Sequence, residues 1–249
     1  MEVIVKEINI QDKINKRFKP FLDEVLNIYK DTLHSISIFG SALTDDYNPK
    51  SSDINSVFVL NTMDLNFLKR FAPLGKKYGK KRIASPLIMT PEYIKSSLDV
   101  FPVEFFNLKL LHSTVYGEDI FRDLEISAAD LRHQCERELK SRLIALRQGY
   151  LSSLGNRKIL TRSFVDSFSG YIPLFRSIIF LLGQKAPESS ADVLAALQDA
   201  AGMNTGAFQM VLNIKTKSIK PTGDKLNSIF KEYYKAVEQL GDITDDIQV

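Results

Sequence analysis

The stretch FGSALTDDYNPKSSDINSVFVL, residues 39–60, decides how the first half of the chain is interpreted. The pair Gly40-Ser41 closes one hydrophobic run, and Ser52-Asp53-Ile54-Asn55 opens a second run after a polar loop. Asp53 and Asn55 stand two residues apart where a strand begins, so their side chains leave the same face of that strand. The stretch therefore predicts a polar site at the ends of two strands.

The segments around this stretch alternate between helical and strand-like hydrophobic patterns. Apolar residues recur at helical spacing over 18–30 and 65–77, and a Thr-Pro-Glu start at Thr90 predicts a further helix. β-branched or alternating runs predict strands over 35–39, 57–60, 86–89, 102–110 and 113–116. Alternation of this kind predicts an α/β domain with a mixed sheet over residues 1–124.

The hydrophobic period changes near residue 125. Ser127 and Asp130 form a start signal similar to a capping box. A stripe at helical spacing follows it, comprising Leu131, Cys135, Leu139, Leu143, Leu146 and Tyr150. Later segments, over about 158–182, 189–201, 204–214 and 223–240, are also helical in pattern and are separated by Gly and Pro signals. Residues 125–249 are therefore predicted to form an all-α helical bundle.

Composition excludes several classes of function. The chain has 249 residues, and its net charge of +3 is spread evenly, which argues against a duplex nucleic-acid ligand but suits a phosphate-bearing small molecule. Its single cysteine, Cys135, rules out an intramolecular disulfide and a zinc site built from cysteines. No segment has the pattern of a secretory signal or of a membrane span. We therefore expect a cytoplasmic protein without a membrane partner.

The residue types in the opening stretch suit phosphate chemistry. Two carboxylates two residues apart can share Mg²⁺, a hard cation that prefers oxygen ligands and takes phosphate oxygens as additional ones. A third acid from a neighbouring strand would complete the cluster and help to deprotonate an attacking hydroxyl. Gly40 allows a turn without a Cβ, and Ser41 offers a hydroxyl and an N–H to a phosphate oxygen. These parts fit an in-line displacement at phosphorus.

The same residues carry a family resemblance. Gly40-Ser41, a loop, and then Ser52-Asp53-Ile54-Asn55 entering a strand resemble the signature of the DNA polymerase β-like nucleotidyltransferases. The segment DVFPVEFFNLKLLHSTVYGED, residues 99–119, looks like the third-acid strand of the two-domain bacterial members, which include the aminoglycoside adenylyltransferases. The resemblance implies transfer of a nucleoside monophosphate from an NTP to an acceptor hydroxyl. It also implies that Gly40, Ser41 and Ser52 bind the nucleotide.

The resemblance assigns the metal site as well, with one departure. Asp53 corresponds to the first metal-binding aspartate, whereas Asn55 occupies the place of the second. An amide oxygen still coordinates a cation, but it lacks the negative charge of a carboxylate. Glu104 is expected to be the third ligand or the base, on a strand over 102–110. Asn107 is the alternative equivalent, in which case two of three carboxylates are gone.

Two functional hypotheses follow from this departure. In the first, the chain is a Mg²⁺-dependent nucleotidyltransferase with weakened catalysis that acts on a small-molecule or protein hydroxyl, with Asp53 and Glu104 as its catalytic residues. In the second, it is an inactive nucleotide-binding or interaction protein. A basic cluster over 76–82, comprising Lys76, Lys77, Lys80, Lys81 and Arg82, is interpreted either as a solvated surface or as a phosphate contact.

Overall fold

In the computed structural model, residues 12–249 are described, and they divide into two compact units. The first unit holds the described residues up to Leu98 together with Phe105–Glu125, and the second holds Asp99–Glu104 and Ile126–Val249. The elements of the first part of the chain are α1 (Asp12–Tyr29), β1 (Leu33–Phe39), β2 (Asn55–Leu60), α2 (Leu65–Gly79), β3 (Leu87–Met89), α3 (Pro91–Ser96), α4 (Pro102–Leu110) and β4 (His112–Gly117). Those that follow are α5 (Ala128–Ser153), α6 (Arg157–Val165), α7 (Tyr171–Leu181), α8 (Ser190–Ala201), α9 (Gly206–Lys215) and α10 (Gly223–Asp245).

The strands of the first unit form one mixed sheet. Among the described residues its order is β3-β2-β1-β4, with β1 antiparallel to both neighbours and β3 parallel to β2. β2 is buried from its second residue onward, which explains its nearly continuous hydrophobic run Val57–Leu60. The prediction of a mixed sheet in the first half and a helical second half is confirmed.

Two helices pack against this sheet through a core rich in aromatic side chains. The helical spacing predicted for the first segment places Phe18, Phe21 and Val25 of α1 in the interior. The Phe21 ring lies 5.9 Å from that of Phe58 on β2 and 4.9 Å from that of Tyr78 on α2. Burial of these rings fixes the sheet beneath the Gly40-Ser41 turn.

The strand predicted over residues 102–110 is wrong, because this segment is the helix α4. Pro102 occupies the first turn, where its missing N–H costs nothing, and Glu104 is an acid in that same turn. Val103, Phe105, Phe106 and Leu108 are all buried, so the helix is apolar on most sides. A helix with so narrow a polar face imitates the continuous apolar run of a buried strand.

The second unit is helical, as its sequence pattern predicts. Ser127 caps α5 by accepting a hydrogen bond from the N–H of Asp130 at 3.2 Å. Most of the predicted stripe is buried, whereas Tyr150 at its end remains exposed. Burial raises the pKa of the Cys135 thiol to about 12, so this cysteine is a packing residue in its neutral form. No helix among residues 12–249 has the length and apolar character needed to span a membrane.

Candidate functional site

The Gly40-Ser41 turn directly follows the end of β1. Gly40 adopts a left-handed φ of +77°, which a residue with a side chain adopts only at a cost, and its N–H donates to the carbonyl of Leu111 at 3.0 Å. Ser41 is half-buried in the short 3-10 turn Gly40–Leu43, whose Ala42 is packed into the core. The turn is thus held on the sheet, and its serine remains partly accessible to a ligand.

The register of the sheet brings two further side chains to this turn. Phe39, the last residue of β1, is paired with Asn55 on β2 and with His112 on β4. Residues directly opposite one another in antiparallel strands share a face, so Asn55 and His112 flank the end of β1 on the same side of the sheet. An ideal Cβ built on Gly40 would lie 3.8 Å from Nδ2 of Asn55, which places this amide beside the glycine.

Asp53 lies just before β2 and is already paired with a cation. Its Oδ1 is 3.5 Å from Nη1 of Arg82, and about half of each side chain is exposed. A surface pair of this kind contributes at most about 1 kcal/mol to stability. The hydroxyl oxygen of Ser52 accepts a hydrogen bond from the N–H of Asn48 at 3.1 Å and closes the loop that precedes Asp53. The nucleotide-binding role expected of Ser52 stays a prediction.

His112 is the residue of β4 that pairs with Phe39 at the end of β1. Its Nε2 is 2.6 Å from Oδ1 of Asp119, and its Nδ1 is 3.3 Å from the carbonyl oxygen of Lys109. Both ring nitrogens thus face oxygen acceptors. Burial of Asp119 raises the pKa of its carboxyl, but the hydrogen bond from His112 and the nearby Arg122 outweigh burial, and the pKa is lowered overall.

Glu104 belongs to the helix α4. Because 102–110 is a helix, Glu104 does not sit on a strand next to β2 as predicted. Its Oε2 accepts a hydrogen bond from Nε2 of Gln134 at 2.8 Å, and both residues belong to the second compact unit. Asn107, the alternative equivalent, lies one turn further along α4. Besides β2, the strand that pairs with the end of β1 is β4, and its residue there is His112.

The residues around the turn do not fit a divalent-cation site. Magnesium prefers several oxygen ligands, with carboxylates supplying the charge. The carboxylate of Asp53 pairs with Arg82, that of Asp119 pairs with His112 and Arg122, and Asn55 offers a neutral amide. In the part of the chain from residue 12 onward, no group of three or more His, Cys, Asp or Glu side chains is suitably placed to hold a metal. The turn retains the hydroxyl of the half-buried Ser41, a group that suits phosphate oxygens.

Comparisons with known proteins agree with the fold described above. No protein-family model matches the sequence, and a search of curated proteins finds no match. Among solved structures, the chain is similar to the spectinomycin adenyltransferase AAD(9) from Enterococcus faecialis, determined with ATP and spectinomycin. The identity is 14%, the TM-score is 0.53, and the match covers 90% of this chain and 98% of the other. The chain therefore has the fold of a two-domain adenylyltransferase, which confirms the resemblance at the level of fold.

Proposed function

We propose that this chain is a nucleotidyltransferase-like protein that binds a nucleoside triphosphate at the Gly40-Ser41 turn and transfers its nucleotide slowly or not at all. The observation that carries the proposal is the pairing of Phe39 with Asn55 and His112. With this register, the side chains beside the proposed phosphate-binding turn are the amide of Asn55 and the imidazole of His112. Asp53 is the carboxylate of the signature that this chain retains.

Weak transfer follows from the charges at these positions. Displacement at phosphorus depends on positioning and on neutralising the charge that spreads over the phosphate oxygens. Carboxylates normally hold the metal ions that supply this neutralisation. Asn55 contributes no charge, and His112 is engaged with Asp119 and Lys109. The turn can therefore bind and orient a phosphate chain, but it lacks the charges that would drive the reaction.

The ligand classes are proposed by analogy with the fold. The similar enzyme was solved with ATP and spectinomycin, which supports an NTP and a small hydroxyl-bearing molecule as ligands here. A protein hydroxyl remains the alternative acceptor. We also propose a cytoplasmic location, since Cys135 is a free, buried thiol.

An active enzyme is the second candidate, and the retained Asp53 together with the intact Gly40-Ser41 turn favours it. In this hypothesis Asp53 holds Mg²⁺ with the Asn55 oxygen as a neutral ligand, and Glu104 supplies the third ligand or the base. The pairing of Asp53 with Arg82 and of Glu104 with Gln134 argues against it. The first candidate therefore stands ahead of the second.

Calorimetric titration with ATP, run beside an assay for pyrophosphate release, separates the candidates. We expect the wild type to bind ATP and to release almost no pyrophosphate with a panel of aminoglycoside acceptors. Ser41→Ala should weaken ATP binding about twofold to tenfold, the loss typical of one neutral hydrogen bond. Steady pyrophosphate release by the wild type would favour the second candidate. Absence of ATP binding under every condition would contradict both.

A further inference from the structure

Arg82 is held beside Asp53 by its backbone as well as by its side chain. The N–H of Ile54 donates to the carbonyl of Arg82 at 2.8 Å, and Ile83 forms a parallel bridge with Ile54. Arg82 itself has a left-handed φ of +58°, uncommon for a residue other than glycine, asparagine or aspartate. Its Nη1 donates to the carbonyl of Ser51 at 3.1 Å, in addition to its ion pair with Asp53. This conformation closes the C-terminal end of α2, where the N–H groups of Arg82 and Ile83 donate to the carbonyls of Gly79 and Tyr78, and it sets the position of Arg82 beside the segment that enters β2.

Two lysines of the basic cluster over 76–82 have contacts that do not involve Asp53. Lys77 pairs with Glu24 at 2.7 Å, and Nζ of Lys81 lies 5.0 Å from the centre of the Tyr78 ring. Arg82, by contrast, contacts Ser51 and Asp53 in the segment that enters β2. Arginine is also the side chain best suited to phosphate, because its planar group donates two parallel hydrogen bonds and stays charged.

The charges around the turn match an anion better than a divalent cation. Arg82 balances Asp53, Asn55 is neutral, and the carboxylate of Asp119 is already shared by His112 and Arg122. A triphosphate needs positive charge near its oxygens, and in related chemistry metal ions provide it. Here a fixed guanidinium lies at Asp53, two residues from the amide that adjoins Gly40. About half of the Arg82 side chain is exposed, so a ligand can reach it.

We propose that Arg82 takes the place of the divalent cation at Asp53, so that the Gly40-Ser41 turn binds the phosphate chain of its ligand without magnesium. This inference rests on the proposed function, which it sharpens. The ligand class is a polyphosphate, with a nucleoside triphosphate as the natural example. In this arrangement Asp53 orients the guanidinium, and the turn supplies the N–H and hydroxyl donors.

The test compares ATP and inorganic tripolyphosphate in calorimetric titrations of the full chain, each with magnesium chloride and with EDTA. We expect wild-type affinity for ATP in EDTA to be within about threefold of that in magnesium. Arg82→Ala should weaken binding in EDTA about tenfold to hundredfold, as expected for the loss of a charge-assisted contact. Arg82→Lys should recover part of this loss, because it keeps the charge without the fork.

Arg70→Ala is the matched control. Arg70 forms a similar exposed pair with Asp64, at 3.1 Å, in the same compact unit and away from the turn. Its loss should leave both ligands' affinities unchanged, and a thermal melt of each variant confirms that the chain remains folded.

Four outcomes decide between the explanations. ATP binding that EDTA abolishes would overturn the inference and leave the proposed function standing. Magnesium-independent binding that Arg82→Ala leaves unchanged would overturn the role of Arg82. Binding of tripolyphosphate without ATP would support the phosphate site and contradict the nucleotide function. Binding of neither would overturn both.

Discussion

Replacing Asn55 with aspartate should turn the Gly40-Ser41 turn into a detectable magnesium site. The substitution adds one carboxylate about 6.6 Å from that of Asp53, twice the rise per residue of a strand. Their repulsion is about 0.6 kcal/mol at the dielectric constant of water and about 2.5 kcal/mol at an effective value of 20. Because half of the Asp53 side chain is exposed, we expect the lower end of this range. Without magnesium, Asn55→Asp should therefore be slightly less stable than the wild type.

Magnesium should reverse this loss in the variant alone. A cation that binds only the folded state with a dissociation constant of about 1 mM adds roughly 1.4 kcal/mol at about 10 mM. For a chain of this length that corresponds to a rise in melting temperature of about 3 to 6 °C. The measurement is thermal unfolding at several magnesium concentrations and constant ionic strength. The wild type should show no comparable rise.

The chain contains a matched control for this experiment. Asp64-Leu65-Asn66 repeats the Asp-x-Asn spacing, and Arg70 pairs with Asp64 as Arg82 pairs with Asp53. These residues lie at the exposed start of α2, away from any Gly-Ser turn. Asn66→Asp adds the same charge at the same spacing, and magnesium should not stabilise it. An equal magnesium response in the wild type and in Asn55→Asp would refute the reasoning, because it would mean that the amide is a competent ligand.

Three further predictions concern the parts that hold the site. Gly117→Ala should destabilise the protein by more than about 2 kcal/mol in urea unfolding, because the new Cβ would lie 2.0 Å from the carbonyl oxygen of His34 at a φ of +76°; Gly183→Ala, with a similar φ and open space, should cost less. Because the pKa of Asp119 is lowered, its contribution to stability should be complete above the ordinary aspartate pKa of about 3.9 and be lost as the pH falls through the lower folded value. The stability difference between the wild type and Asp119→Asn should therefore shrink below about pH 4, and a constant difference down to pH 2 would contradict this. Cys135, with a pKa raised to about 12 by burial, should react with a thiol reagent at pH 8 only as fast as the protein unfolds, whereas rapid labelling would contradict its burial.

Local signals in the sequence predict much of the structure around the site. The alternating pattern before Phe39 and the hydrophobic run after Asn55 correspond to β1 and β2. Gly40 has the positive φ that its place in the turn requires. Ser127 caps α5 as its capping signal predicts. Each of these features depends on only a few neighbouring residues, so local propensity and turn chemistry are enough to predict it.

The sequence pattern predicted a strand where the structure has the helix α4, and the reason is physical. Most side chains of α4 are buried and apolar, so its sequence lacks the wide polar face from which a helical period is recognised. An apolar run with one acid, Val103-Glu104-Phe105-Phe106, then looks the same as a buried strand that carries a catalytic residue. The error about secondary structure therefore carried over directly to Glu104.

His112 could not have been found by a search for carboxylates, because its position follows from pairing between distant strands. Phe39 and His112 are far apart in sequence, and only the register of β1 with β4 makes them neighbours. The register in turn depends on a shift in strand pairing between Ile36 and Ser37, which no local sequence pattern predicts. Once the register is known, three residues define the chemistry around the turn. They are Asp53, which pairs with Arg82, the amide Asn55, and His112, which is hydrogen-bonded to Asp119. A divalent cation needs several oxygen ligands with carboxylates among them, so adding one carboxylate at Asn55 should produce cation binding before it produces catalysis.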